Sequence, residues 1–482
     1  MTLDRWFQIS ERGSTVGREV RGGLVTFFTM AYIIALNPLI IGTTADKNGN
    51  LISGLPAADP ASAGPTIAMV AAATALIAGV MTILMGVVGR FPIGLATGLG
   101  LNALLAFVIA PMMTWPQAMG LVVWEGILIA ILVLTGFRTA VFRAVPPSLR
   151  TAIAVGIGLF ITLVGLVDAG VVRKPEGSPP VELGIGGSLI GWPMAVFVLG
   201  LLTVSVLNAL KVRGAMLISI ISTTVVAVIV QAFTGAGPMV KEPTGWALNI
   251  PEFTAVADVP DLSLLGRVDL FGGFTANGAG FGAVIAVVML IFSLLLADFF
   301  DTMGTVVAVG AEGNLLDEEG NPPRVTQILL VDSFAAIAGG VGSVSSNTAY
   351  AESAAGVGEG ARTGLASIVT GAAFLLSVFF APLINMVPSE AAAPVLVFVG
   401  FLMISQVVGV NWEDIEEGLP AFLTLALMPF TFSITNGIGA GFIMFVVLKV
   451  VRGKAAKVHP LMYLVAVLFV IYFGQGAINS LF

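Results

Sequence analysis

Long apolar runs, separated by short polar or glycine-rich breaks, repeat along the whole chain. A helix of about 20 apolar residues crosses a bilayer, so the pattern predicts an all-α polytopic membrane protein. The expected spans are 22–41, 65–88, 117–137, 149–167, 189–207, 215–233, 281–309, 325–341, 363–383 and 391–410. Two stretches break the pattern. FPIGLATGLGLNALLAF, 91–107, is glycine-rich at its start and too short for a full helix plus linker. It predicts an extended segment to about Leu99 and a short helix from near Asn102. SSNTAYAESAAG, 345–356, is built of small polar residues around Glu352.

An internal repeat orders these elements. VPPSLRTAIAVGIGLFITLVGLV from Val145 matches VPSEAAAPVLVFVGFLMISQVVG from Val387, and VLNALKVRGAML from Val206 matches VLKVVRGKAAKVHPLM from Val447, each about 240 residues apart. The same offset carries GLGLNALLAF onto SNTAYAESAA. The halves hold seven spans each, and an odd number requires the second to be inverted, as in many secondary transporters. After Gly418, hydropathy alone shows three apolar runs, 419–434, 438–451 and 461–482. The repeat counts only the last two as full spans. It makes 411–432 an insertion, matching 168–188, that lies along the inner face or re-enters. Arg12, Arg18 and Arg21 precede the first span, and Arg138, Arg143, Arg150, Lys211 and Arg213 fall in loops on the same, cytoplasmic side. Both termini are then cytoplasmic, but Arg452, Lys454 and Lys457 fall outside, against the positive-inside tendency.

Composition agrees with the class. Of 482 residues 57% are hydrophobic and 10% charged, where soluble proteins carry about 25% charged residues. The net charge of −7 says little about partners when so much of the chain lies in lipid, and no nucleic-acid partner is expected. The absence of cysteine removes disulfides and thiolate metal sites. The one histidine, His459, reads as a surface residue at a loop end. No metal or cofactor is expected.

The candidate chemistry centres on ADFFDTMGT, 297–305, where Asp298 and Asp301 follow an uncharged apolar run and share a helical face at i and i+3. A carboxylate at that depth costs at least ~2.5 kcal/mol, so it marks function by default. Glu352 sits among small residues with room to face a ligand. In the inverted-repeat arrangement the 98–102 and 345–352 breaks lie near the membrane midplane, with Asn102 at one short helix and Glu352 at the other. The competing readings are packing loops for the two breaks, a structural role for Asp298 and Asp301 bonded to serine, threonine or backbone groups of neighbouring helices, with Asp301, a turn deeper, only bracing the site, and helix stabilisation for Glu352. Glu359 and Arg362 flank the inside mouth. GLGLNA and GVGEGA lack the strand-helix context of a phosphate loop. The two aspartates lie on one helix, not on two as an intramembrane aspartic protease requires.

GREVRGGLVTFFTMAYIIALNP, GLGLNALLAF, ADFFDTMGT, AYAESAAGVGEGARTGL and the final KVHPLMYLVAVLFVIYF together resemble the nucleobase-ascorbate transporter superfamily, in its AzgA-like branch of guanine, hypoxanthine and adenine permeases. The resemblance spans nearly the whole chain. It implies a fourteen-span fold of 7+7 inverted repeats with short strands in spans three and ten. It divides the chain into a core domain (1–145 and 281–387), a gate domain (146–236 and 388–482) and an external loop (237–280). It places Asn102, Asp298 and Glu352, with Ala351 beside Glu352, at the purine, and Gly100 and Asp301 where binding is tuned. Leu104 and Leu105 stand where the family commonly has phenylalanines, and Asn347 where a less polar residue is usual.

The implied activity is import of purine nucleobases by proton symport, with Asp298, Asp301 and Glu352 as the titrating groups, in the cell membrane and not as an enzyme. Two copies pairing through their gate domains is part of the same expectation. A purine offers N–H groups along one edge. Carboxylates accept these, and Asn102 both donates and accepts. An anion transporter of the same fold, for sulfate or bicarbonate, is the alternative, disfavoured by acidic groups at the site.

Overall fold

The computed structural model describes residues 3–136, 144–175, 180–239, 241–252, 255–276, 278, 281–317, 322–384 and 386–479. Arg138 and Arg143, expected in an inner loop, lie outside the described residues. In a bilayer each backbone N–H must bond within its own segment, so the apolar runs become helices. The first half contains α1 (Val16–Met30), α2 (Ile33–Ile41), α3 (Ala63–Leu84), β1 (Leu95–Thr97), α4 (Leu99–Leu104), α5 (Trp115–Leu134), α6 (Pro147–Asp168), α7 (Trp192–Ala209) and α8 (Ala215–Thr234). The second contains α9 (Phe281–Glu312), α10 (Val325–Val341), β2 (Asn347–Ala349), α11 (Ser353–Gly358), α12 (Gly364–Ser377), α13 (Ser389–Ile404), α14 (Ile415–Phe430), α15 (Ile434–Val451) and α16 (Pro460–Asn479). Among the described residues ten helical stretches are long and apolar enough to cross a membrane, and Leu99–Met112, Val325–Val341 and Pro460–Gly474 are shorter apolar helices.

Lipid tails are as apolar as leucine, so close packing rather than the hydrophobic effect joins these helices, and small residues mark the contacts. Where α3 crosses α12, Gly79 faces Gly371, and Gly86, in the helical turn that continues α3, faces Gly364. A Cβ on Gly371 would lie 2.5 Å from the Gly79 carbonyl oxygen and 2.9 Å from the Ile83 nitrogen. Gly158 and Gly400 do the same where α6 crosses α13.

The packing around that second crossing has a mirror pattern. Helix α13 packs on α7 and α8, which pair with each other. Helix α6 packs on α14 and α15, which also pair with each other.

The stretch 411–432, expected as an insertion that lies along the inner face or re-enters, is packed into the bundle. The stretch contains α14, which turns Gly418, Pro420, Ala421, Thr424 and Met428 into the bundle. Gly156 on α6 and Gly437 and Gly441 on α15 leave room for it, meeting Met428 and Thr424 respectively. Its first turn is pinned by Glu416, whose carboxylate accepts from Lys449 and Lys454 at 2.5 Å and from Arg452 at 2.9 Å. The chain after Gly418 therefore forms the three helices that hydropathy alone indicates.

Candidate functional site

Two breaks in helix geometry build the site. Strand β1 pairs antiparallel with β2 in the register Leu95↔Ala349, Ala96↔Thr348 and Thr97↔Asn347. These strands come from opposite halves of the chain, and each leads into a short helix, α4 or α11. Small residues allow the approach. The Thr82 hydroxyl accepts from the Leu95 N–H at 2.9 Å and donates to the Leu95 carbonyl at 3.0 Å. Tyr350 donates to the Thr97 carbonyl at 2.7 Å. Helix α9, carrying both aspartates, packs against β2 and α11.

Glu352 lies just before α11 and is partly open. Its Oε1 accepts from the Tyr32 hydroxyl at 2.5 Å, and Thr29 donates to its carbonyl at 3.3 Å. Ala351 beside it is open. Asp301 is open too, and close enough to Glu352 and Asp298 to feel both charges. Gly100 is partly open and lies beneath Ile157 of α6, whose side chain occupies the space a Cβ would need.

Asn102 and Asp298 are enclosed completely. The Asn102 amide donates to Thr97 Oγ1 at 3.2 Å, and its Oδ1 has no partner. Asp298 lies against Glu125, Ser346 and Thr348, with neither oxygen in a well-formed hydrogen bond. Asp298 is thus sealed and Asp301 open. Positions i and i+3 are about 60° apart around a helix. Asp298 therefore shares its face with Thr302, turned towards α5 and α10, while Asp301 is turned past that interface. Asn347 is fully enclosed, and neither its amide nitrogen nor its oxygen has a partner.

After α11, Glu359 pairs with Arg21 of α1 at 2.8 Å and also with Arg213 from the turn between α7 and α8. Arg362 Nη1 donates to the Val357 and Ala361 carbonyls.

Four polar side chains near the strands were missed in the sequence: Tyr32, Tyr350, Glu125 and Asp332. The carboxylates had a legible signal. Each is the only charged residue of its apolar helix among α5 and α10, the same argument that singled out Asp298.

Residues 17–440 match the model of a family described as the Permease family. Adenine permease AdeP of Escherichia coli K12 is 36% identical over 474 residues, covering 97% of this chain and 95% of that protein. Guanine/hypoxanthine permease PbuG of Bacillus subtilis 168 is 36% identical over 473 residues, covering 98% and 99%. Among solved structures, the transmembrane domain of the cyanobacterial bicarbonate transporter BicA superposes with a TM-score of 0.58 at 15% identity, over 88% of this chain and 96% of that one. At that identity the likeness concerns the fold.

Proposed function

This chain belongs to the permease family, and from that premise we propose that it imports purine nucleobases, guanine, hypoxanthine or adenine, by proton symport with alternating access. The observation that carries the reading is the β1–β2 pairing, near which Glu352, Ala351 and Asp301 are open or partly open and Gly100 lies beneath Ile157 of helix α6. Carboxylate oxygens only accept, so two of them at a gap suit a neutral, planar ligand with N–H groups along its edge. Tyr32 takes one oxygen of Glu352 and leaves the other for a ligand. Asn102 and Asp298 stand behind the strands and join the ligand when the core and gate domains separate.

In this reading the core comprises 1–145 and 281–387, and the gate 146–236 and 388–482, with 237–280 outside. Ile157 over Gly100 marks the seam between them. The homodimer belongs to the same proposal. The gate helices carry Leu202, Val206, Ile221 and Val225 on an exposed apolar face suited to lipid and to a second copy.

Anion transport, named for the structural neighbour, fits this site less well. The open charged groups at the gap are carboxylates, which repel anions. None of Asp298, Asp301 and Glu352 forms a salt bridge among the described residues. Uptake into proteoliposomes tests the choice. Under an inward proton gradient, labelled adenine, guanine or hypoxanthine should accumulate and a protonophore should abolish the accumulation, while sulfate and bicarbonate should not enter. Anion uptake without base uptake would refute the reading.

Counting α14 as a span changes the expected topology. If α13, α14 and α15 all cross, Arg452, Lys454 and Lys457 lie on the same side as Arg12, Arg18 and Arg21, and the breach of the positive-inside tendency disappears. Helix α16, packed on α9 and α15, then stands outside the two repeats. The chain contains no cysteine, so a single Ala455→Cys reports its own side. It should react with an impermeant maleimide only in inside-out vesicles. Labelling in right-side-out vesicles instead would restore the insertion reading.

A further inference from the structure

Behind the paired strands lies a group of carboxylates that the symport reading leaves largely unused. Glu125 on α5, Asp298 on α9 and Asp332 on α10 are at most 2% exposed. Ser346 donates to Glu125 Oε1 at 3.2 Å, Thr302 donates to Asp332 Oδ2 at 3.0 Å, and the Thr302 and Thr348 hydroxyls are 2.7 Å apart. Asp298 lies between these pairs, against Glu125 and Thr348. The titratable groups facing Glu125 are Asp298 and Asp332, and those facing Asp332 are Glu125, Asp298 and, from the open side, Asp301. No lysine or arginine forms a salt bridge with any of the three among the described residues.

Glu125 Oε2, both oxygens of Asp298 and Asp332 Oδ1 are enclosed and have no hydrogen-bond partner. An ionised carboxylate has no donor to offer its neighbour, whereas a protonated one donates a hydrogen bond. Three bare like charges in a dry interior without a counter-ion repel one another strongly, and interacting carboxylates of this kind titrate as a unit. Glu125 and Asp298 lie side by side with unpartnered oxygens, and a proton shared between them supplies the missing hydrogen bond.

We propose that Glu125 and Asp298 hold one proton between them, positioned by Asp332 and Thr302, and that this is the proton carried with the purine. The proposal rests on the symport reading and adds the residue on α5 to it. The only bond that changes is O–H. The carboxyl gives its proton to water on the inner side, and the carboxylate takes one from water on the outer side, with Asp301, three residues on from Asp298 along α9, open.

Accumulation in proteoliposomes tests this. One proton per base across one pH unit supports about tenfold accumulation. The wild type should approach that ratio, and Glu125→Gln should level off near equal concentrations inside and out. Equal accumulation by both would overturn the proposal and leave symport standing. A wild type that exchanges purine but ignores the gradient would overturn symport, and this proposal with it. Infrared spectra of the purified proteins decide the matter if Glu125→Gln does not transport. The wild type at neutral pH should show a protonated-carboxyl stretch that is lost or shifted in Glu125→Gln and in Asp298→Asn, and absence of that band from the wild type would overturn the proposal. Asp332→Asn should shift the pH at which accumulation is half-maximal, and an unchanged profile would remove its positioning role.

Discussion

Replacing Glu352 by glutamine is expected to weaken purine binding by roughly ten- to a hundredfold. The substitution preserves shape and one acceptor but removes the charge. Hydrogen bonds to a charged group contribute about 1.5–3 kcal/mol each, and each 1.4 kcal/mol is a factor of ten in Kd. Position makes Glu352 the residue with most to lose. It is partly open, its backbone is held by Thr29, and its Oε1 is already engaged by Tyr32 at 2.5 Å. The carboxylate is therefore pre-aimed with one oxygen free, and glutamine in the same place would present either an amide donor or a weaker acceptor. Tyr32→Phe serves as a control. It leaves the charge and removes only the group that aims it, so its loss should be smaller than that of Glu352→Gln. Calorimetry on the purified variants measures both, and wild-type affinity in Glu352→Gln would remove this residue from the site.

A second large effect should follow from Gly371→Val, through stability rather than binding. Overpacking a tight contact costs typically about 1–3 kcal/mol and sometimes more. Here the atoms in the way include backbone, the Gly79 carbonyl oxygen and the Ile83 nitrogen, as well as the Ile83 side chain. Rotamer changes cannot relieve that, so α3 and α12 must move apart, and the Gly86–Gly364 contact along the same pair of helices loosens with them. The melting temperature in detergent should fall by several degrees, or the protein should fail to elute as a single species. Gly17→Ala is the contrast. Nothing lies within 4 Å of a Cβ there, and alanine is the better helix former by about 1 kcal/mol. An unchanged melting temperature for Gly371→Val would show that the crossing is looser than its geometry.

Much of this was legible in the amino-acid pattern, and the failures have physical causes. Long apolar runs mark helix positions to within about two turns because the bilayer leaves the backbone no alternative, and the largest miss, α1 beginning at Val16 rather than 22, falls where its first turns are charged. The breaks at 91–98 and 345–352 showed as glycine and small polar residues, which is what close strand approach requires. The packed helix α14 was not expected because the repeat, at its offset of about 240 residues, leaves 411–432 matched to the loop 168–188, and its first turn is acidic. In the structure Glu416 is neutralised by Lys449, Arg452 and Lys454 from the end of the neighbouring helix, a pairing that spacing along the chain does not show. Which of Asp298 and Asp301 is covered was hidden for a related reason. Spacing sets the angle between two side chains on a helix, and only the neighbouring helices decide which of them is covered. Glu125 and Asp332 were within reach, since each stands alone in an apolar run, but they lie outside the repeated breaks that drew the reading.

The account stands most directly on equilibrium binding of labelled adenine, guanine and hypoxanthine to the purified wild type and to an Asp301→Asn/Glu352→Gln double variant, with sulfate and bicarbonate as competitors. It predicts that at least one base binds the wild type, that unlabelled base but neither anion displaces it, and that the double variant loses at least about a hundredfold in affinity. Wild-type affinity in the double variant, or displacement of the base by either anion, would contradict it.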